Sequence, residues 1–142
     1  MFEMHNKTIK SLSLNTPLGC MAECPCFSMT ASHTGRLEYR GVANVELTGE
    51  YTGSVNYFEF DSIASVVETS GFLDLSEHDT GGWISTVGST TIGVTFLDGR
   101  ERFFTRDAMN EPPIFWAVAK LICFLLEKAE MRSQDFNGQR HG

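Results

Sequence analysis

Period-two alternation of apolar and polar residues is the feature of this sequence that most constrains its fold. Runs of this kind occur within residues 8–14, 27–32, 37–40 and 90–96. Because successive side chains of a β-strand point to opposite faces of the sheet, each run predicts a strand with one buried side and one solvent-facing side. The sequence therefore predicts a sheet with one apolar face, which other elements have to cover.

Glycine-containing turns indicate how these strands are connected. Residues 33–35 contain a glycine and predict a hairpin between the second and third runs. Asp98-Gly99 is a type I′ turn signal, and it predicts that residues 100–105 pair back onto residues 90–96. A further strand is predicted within residues 45–53 from three apolar residues, Val45, Leu47 and Tyr51.

Two segments carry apolar residues at helical spacing. Asn56 and Glu59 resemble a capping box that starts a helix over residues 57–70, and Gly71 suits the left-handed position that ends it. The dipeptide Pro112-Pro113 predicts the first turn of a second helix. The predicted buried residues are Phe60, Ile63, Ala64 and Val67 in the first helix, and Phe115, Trp116, Ala119, Ile122, Cys123, Leu126 and Ala129 in the second.

The order of these elements, β-β-β-β-α-β-β-α, predicts an α+β fold in which two helices pack on one face of an antiparallel sheet. The chain has 142 residues, the length of one ordinary domain. We expect that domain to span residues 8–131, with flexible termini at residues 1–7 and 132–142.

Charge and hydropathy exclude some classes of partner. The formal net charge is −7, and a surface of that sign repels phosphate, so we expect no nucleic-acid partner. The longest apolar run, residues 114–126, is interrupted by Lys120 and is shorter than the about 20 residues that span a bilayer. Residues 1–20 lack the apolar core of a signal peptide, so we expect a cytoplasmic protein without a membrane partner. A monomer and a homodimer built on an exposed strand edge are both consistent with the composition.

Carboxylates are concentrated in the middle of the chain. They are Glu46, Glu50, Glu59, Asp61, Glu68, Asp74, Glu77 and Asp79. Such a group is either a solvated face or a docking surface for a basic protein partner, since a field of one sign steers association.

Cys20, Cys24 and Cys26 lie within seven residues, and His33 is the nearest histidine after them. Thiolates at short spacing are ligands that zinc favours, so these four residues are the candidate metal set. A structural zinc site usually has a second pair of ligands. The two cysteines of a redox dithiol usually have two residues between them and lie at a helix N-terminus. Neither pattern is present, which leaves three interpretations: a structural loop with free or bridged thiols, a zinc site, and a redox site.

The glycine-containing segment 76–89 supplies the other candidates. Trp83 is its single large aromatic residue, and connections of this length are often binding loops, although a lone loop tryptophan more often packs into the core. His78 beside Asp79 is the one pair with the composition of a general base, but adjacent side chains rarely face each other, and no nucleophile accompanies them. We therefore predict Trp83, His78 and Asp79 as binding residues and no catalytic residue.

A series of short motifs resembles a bacterial family known as a domain of unknown function. The motifs are Gly19-Cys20, Cys24-Pro25, Phe27, Thr34-Gly35, Tyr39-x-Gly41, Gly49, Thr52-Gly53, Gly71-Phe72, the Thr-rich strand at residues 90–96, Gly99 and Pro113. The resemblance covers about residues 8–130, and its most specific part is the Cys-x-x-x-Cys-Pro loop. It implies one compact α+β domain and no known activity.

Two positions depart from that family pattern. Cys26 adds a third thiol after the proline, which favours metal binding, and Gly88-Ser89 stands where an acidic residue is common. We predict a small, non-enzymatic binding or interaction protein with an acidic surface and no cofactor. The alternative is a zinc or redox protein that uses the Cys20, Cys24 and Cys26 loop.

Overall fold

A computed structural model describes residues 8–16, 26–43, 45–77, 89–106 and 112–133. Within these ranges the chain forms seven β-strands, two α-helices and one turn of 3-10 helix, Phe72–Asp74. The strands and helices are β1 Ile9–Thr16, β2 Cys26–Ser32, β3 Arg36–Ala43, β4 Gly49–Ser54, α1 Tyr57–Thr69, β5 Thr90–Phe96, β6 Glu101–Arg106, α2 Pro113–Lys128 and β7 Glu130–Ser133.

All seven strands belong to one antiparallel sheet in the order β6-β5-β1-β2-β3-β4-β7. Strands β1 to β4 are neighbours in sequence order, and α1 then carries the chain back across the sheet to β5. Helix α2 makes the second crossing, from β6 at one edge to β7 at the other. The predicted α+β class and antiparallel sheet are confirmed. Neither helix in the described chain is long and apolar enough to cross a membrane.

One face of the sheet is apolar across most of its width. A single register row joins buried side chains of five adjacent strands: Phe104, Ile92, Leu14, Met29 and Tyr39. These side chains share one core cluster with the buried residues of both helices. The two helices also contact each other and β1. Both helices therefore cover the same face, as predicted.

Three phenylalanines connect the layers of this core. The Phe72 ring lies 4.6 Å from the ring of Phe104 on β6 and 6.2 Å from that of Phe115 on α2. All three side chains are completely buried. The 3-10 turn that follows α1 is thus held between the sheet and the second helix.

Helix α1 follows the sequence prediction closely. Oδ1 of Asn56 accepts hydrogen bonds from the backbone N–H groups of Phe58 and Glu59, at 2.8 and 3.1 Å, so Asn56 caps the first turn. Gly71 has a φ of 95°, the left-handed conformation expected just beyond the helix. The four predicted core residues, Phe60, Ile63, Ala64 and Val67, are buried.

The stripe of buried residues along helix α2 is rotated about the helix axis relative to the predicted buried stripe. Its buried residues are Phe115, Val118, Ala119, Ile122 and Leu125. Trp116, Cys123 and Leu126 were expected in the stripe but are only partly buried beside it. The helix is apolar on nearly every side, so the sequence pattern alone leaves its rotation poorly defined.

The turn between β5 and β6 differs from the predicted type I′ turn. The backbone N–H of Gly99 donates to the carbonyl of Phe96, and the N–H of Phe96 donates to the carbonyl of Arg100. Leu97 and Asp98 are therefore the central residues, and Gly99, with a φ of 96°, occupies the bulge position of a three-residue loop.

Two boundaries also differ from the sequence prediction. Strand β4 begins at Gly49, so Val45 and Leu47 precede it instead of forming part of it. Strand β7 was not predicted, and two of its residues, Arg132 and Ser133, pair with β4 although they fall within the terminus 132–142 that was expected to be flexible. Residues 1–7 and 134–142 lie outside the described ranges.

Adjacent phenylalanines on β6 provide a test of the two sheet faces. Phe104→Ala removes a fully buried ring and should lower the free energy of unfolding by about 3–5 kcal/mol. Phe103 points to the other face, and its side chain is 49% exposed, so Phe103→Ala should cost less than about 1 kcal/mol. Urea denaturation of both variants checks this difference, and equal losses would contradict the assignment of the faces.

Candidate functional site

Most residues predicted to form a site lie outside the described chain. These are Cys20, Cys24, His78, Asp79 and Trp83. Their roles as metal or binding residues stay predictions.

The two remaining members of the candidate metal set are far apart. Cys26 is the first residue of β2, and His33 follows the last. A strand rises by about 3.3 Å per residue, so these two residues lie roughly 20 Å apart, and one ion cannot bind both. Among the described residues, no group of three His, Cys, Asp or Glu side chains is placed to hold a metal ion.

His33 has a local structural environment. Its backbone N–H donates to the carbonyl of Lys10 at 2.8 Å, and its ring Nδ1 lies 3.3 Å from the same oxygen. The residue thus ties the β2–β3 turn to strand β1.

Four carboxylates of the middle segment lie in different parts of the described structure. Glu50 lies on β4, Asp61 is buried within α1, and Glu68 accepts hydrogen bonds from the backbone N–H and the hydroxyl of Thr8. Glu77 pairs with Arg102 at 3.2 Å beside β6. These four residues therefore do not form a single acidic face.

The side of the sheet opposite the helices, here called the open face, is mostly polar, with Phe103 of β6 as an exposed aromatic residue. Its side chains alternate with those of the core, and at β2–β4 they line a depression of about 210 Å³. The polar side chains there are Ser28, Thr30, Glu38, Arg40 and Glu50. One uncovered polar face is the usual state of an antiparallel sheet, so solvation accounts for this surface.

The outer surface of the helical layer carries an apolar depression of about 330 Å³, here called the α1–α2 groove. Helix α1 contributes Phe58, Glu59, Ser62 and Ile63, and helix α2 contributes Leu121 and Phe124. Phe58 is 57% exposed and Phe124 is 38% exposed. Large aromatic side chains grouped at this exposure are typical of an interaction surface.

Helical geometry explains why these side chains meet. Positions 58 and 62 are one turn apart on α1, as are 121 and 124 on α2, so each helix presents a short row beside the other. The row on α1 continues to Val66, which is 38% exposed. Buried Ile63 forms part of the groove lining and links it to the core beneath.

The groove differs in charge between its two sides. Glu59 is the charged residue of its lining, and the sequence of α1 contains three carboxylates but no Lys or Arg. On the α2 side, Nζ of Lys128 lies 5.5 Å from the centre of the Phe124 ring, within cation–π range. The lining is thus suited to apolar contact, with one carboxylate, that of Glu59, on the α1 side.

Sequence reasoning missed this groove, although a signal for it was present. Phe58 and Val66 lie two helical turns apart on α1 and outside its buried stripe, which marks a second apolar row. Phe124 lies outside both the predicted and the observed stripe of α2. Only the packing of the two helices shows that these residues are neighbours.

Cys123 lies partly buried on α2, as a small apolar residue would. Burial raises the pKa of its thiol, and the nearby carboxylate of Glu127 raises that pKa further. Lys120 acts in the opposite direction with a smaller effect. The thiolate of Cys123 is therefore disfavoured at neutral pH.

Comparison with known proteins identifies a family without a described activity. A family model described as a domain of unknown function, DUF6438, matches residues 13–126. No curated protein and no solved structure matches the chain. The expected membership of a domain-of-unknown-function family is confirmed, whereas a bacterial source and the Cys-x-x-x-Cys-Pro loop as a family feature stay predictions.

The raised pKa of Cys123 leads to a test of its reactivity. At pH 8 iodoacetamide should alkylate Cys123 at least about fivefold more slowly in the native protein than in the unfolded chain, because burial disfavours the thiolate and limits access. Quenched labelling followed by peptide mass spectrometry isolates this residue from the other cysteines. The alkylation rate of Cys123 should begin to rise at a higher pH in the native protein than in the unfolded chain. Coincident pH profiles would contradict the prediction.

Proposed function

This chain belongs to the DUF6438 family, a domain of unknown function, and we propose that it is a non-enzymatic binding protein. In this proposal the α1–α2 groove holds an apolar segment of a protein partner. The observation that carries the proposal is the exposure of Phe58 and Phe124 in one groove above the core.

The energetics of association favour this surface over the open face of the sheet. Aromatic side chains supply most of the binding energy at protein interfaces when a partner covers them and excludes water. The groove has two such rings beside Leu121 and Ile63. The depression on the open face is lined by hydroxyl and charged side chains, which lose hydration when covered.

The chemistry of the groove defines the partner that fits it. Two apolar anchors at helical spacing can follow the paired rows of α1 and α2, which is the pattern of helix-in-groove recognition. A basic side chain next to the anchors complements Glu59, and the net charge of −7 favours the approach of a basic partner. We therefore infer an amphipathic segment with a basic flank.

Panning a displayed peptide library on the purified protein tests this proposal without a known partner. Selected peptides should carry at least two large apolar residues near a Lys or Arg. Phe58→Ser and Phe124→Ser should each weaken their binding at least about tenfold, the loss expected for a central interface aromatic. Titration calorimetry or fluorescence anisotropy measures the change.

Phe103→Ser is the matched control, because Phe103 is similarly exposed but lies on the open face. It should leave the affinity unchanged. The proposal fails if peptides bind the two groove variants as tightly as the wild type, or if the control variant loses the same affinity.

Charge reversal at Glu59 tests the basic flank separately. Glu59→Lys should lower the affinity for peptides with a Lys or Arg flank by about threefold to tenfold. It should also reduce the salt dependence of their binding. Affinities measured at low and high salt decide the point. An unchanged affinity with an unchanged salt dependence would remove the basic flank from the proposal.

A further inference from the structure

The two edge strands of the sheet, β6 and β7, differ in whether another segment covers them. At the β6 edge, the backbone N–H of Thr105 donates to the carbonyl of Glu77 at 2.9 Å, so residues 73–77 lie against the outside of the strand. At the other edge, β7 pairs with β4 and is the last strand of the sheet in the described chain. An edge strand of this kind presents backbone N–H and C=O groups to another chain.

Two arginines of β6 hold residues 73–77, the covering segment, against this strand. Nη1 and Nη2 of Arg102 donate to the carbonyls of Leu73 and Leu75, at 2.8 and 3.3 Å. Arg106, which is only 4% exposed, donates from Nη2 to the carbonyl of Ser76 at 2.7 Å. Its Nη1 also donates to the carbonyl of Glu77 at 3.3 Å. This edge is therefore closed to a further strand.

Strand β7 approaches β4 closely at Gly53. A Cβ atom added at Gly53 would come within 2.5 Å of the carbonyl oxygen of Glu130 and 2.9 Å of Sδ of Met131. Such distances are too short for any side chain, so glycine permits the close approach of the two strands.

The side chains of β7 have a self-complementary charge pattern. Glu130 lies opposite Ser54 and Arg132 opposite Thr52, so both charges point to the open face. Neither residue forms an ion pair with another described residue. If two copies of β7 pair antiparallel about Met131, Glu130 of each copy lies opposite Arg132 of the other. Opposite charges in directly facing positions stabilise a strand pair.

We propose that two copies of this chain form a symmetric dimer by pairing their β7 strands antiparallel about Met131, with two reciprocal contacts between Glu130 and Arg132. The dimer continues one sheet across the twofold axis. A four-residue strand is a small interface, so the dissociation constant should be in the range of about 10–100 µM. The dimer does not depend on the α1–α2 groove.

Sedimentation analysis of charge variants tests the register. The proposed dimer has two facing pairs between positions 130 and 132. Glu130→Arg or Arg132→Glu puts like charges in both pairs, so each variant should weaken the dimer at least about tenfold. An equimolar mixture of the two variants should restore association, because every facing pair is then of opposite charge. The double variant Glu130→Arg with Arg132→Glu should also dimerise like the wild type.

Glu101→Arg is the matched control, since Glu101 is an exposed residue of the covered edge strand β6. It should leave the dimer unchanged, and thermal unfolding should show that all variants are folded. A wild-type protein that stays monomeric at about 1 mM, well above that range, would overturn the proposal. Single variants that dimerise like the wild type would also overturn it, as would folded single variants that fail to associate when mixed. Phe58→Ser should dimerise like the wild type, which separates this proposal from the groove.

Discussion

Burial of a single apolar sheet face governs the rest of this structure. The row from Phe104 on β6 to Tyr39 on β3 crosses five strands and has to be kept from water. Both crossings of the sheet are made by helices on that side, so one layer of two helices covers it. The opposite face then needs no cover, and its serines, threonines and charged residues are suited to solvent.

The same arrangement creates the α1–α2 groove. Each helix turns one face to the sheet and another toward its neighbour, which leaves a furrow on the outer surface between them. A fully solvated helical layer would have polar residues along this furrow. Here Phe58, Leu121 and Phe124 line it instead. The residues that favour a binding function are therefore those that the core does not require.

The sequence predicted the parts of the fold that depend on local patterns. Strand alternation, the Asn56 cap and the left-handed Gly71 each follow from a few neighbouring residues, and the structure has all three. Strand β7 has only Met131 between Glu130 and Arg132, so it carries no strand signal of its own and depends on the close approach at Gly53. The rotation of α2 was also missed, because an apolar helix has no polar side to orient it.

The candidate site depended even more on packing that no local pattern encodes. The cysteine loop and the segment containing Trp83 were prominent in the sequence because of unusual residues, yet their roles stay predictions. The groove joins positions more than 50 residues apart in the sequence. A single sequence shows that Phe58 and Phe124 are apolar and outside their stripes, but not that they are neighbours.

The central position of β1 has a consequence for how the chain folds. Strands β1 to β4 can pair through short connections, whereas β5 reaches β1 only after more than 70 intervening residues have been synthesised and α1 has been placed. Closing that long loop is entropically costly, so the four-stranded meander is expected to form first. Until β5 arrives, β1 is a temporary edge whose backbone N–H and C=O groups are unpaired on one side. A strand of this kind recruits other chains into aggregates. The rate of docking of the β5–β6 hairpin therefore sets how long the nascent protein is vulnerable.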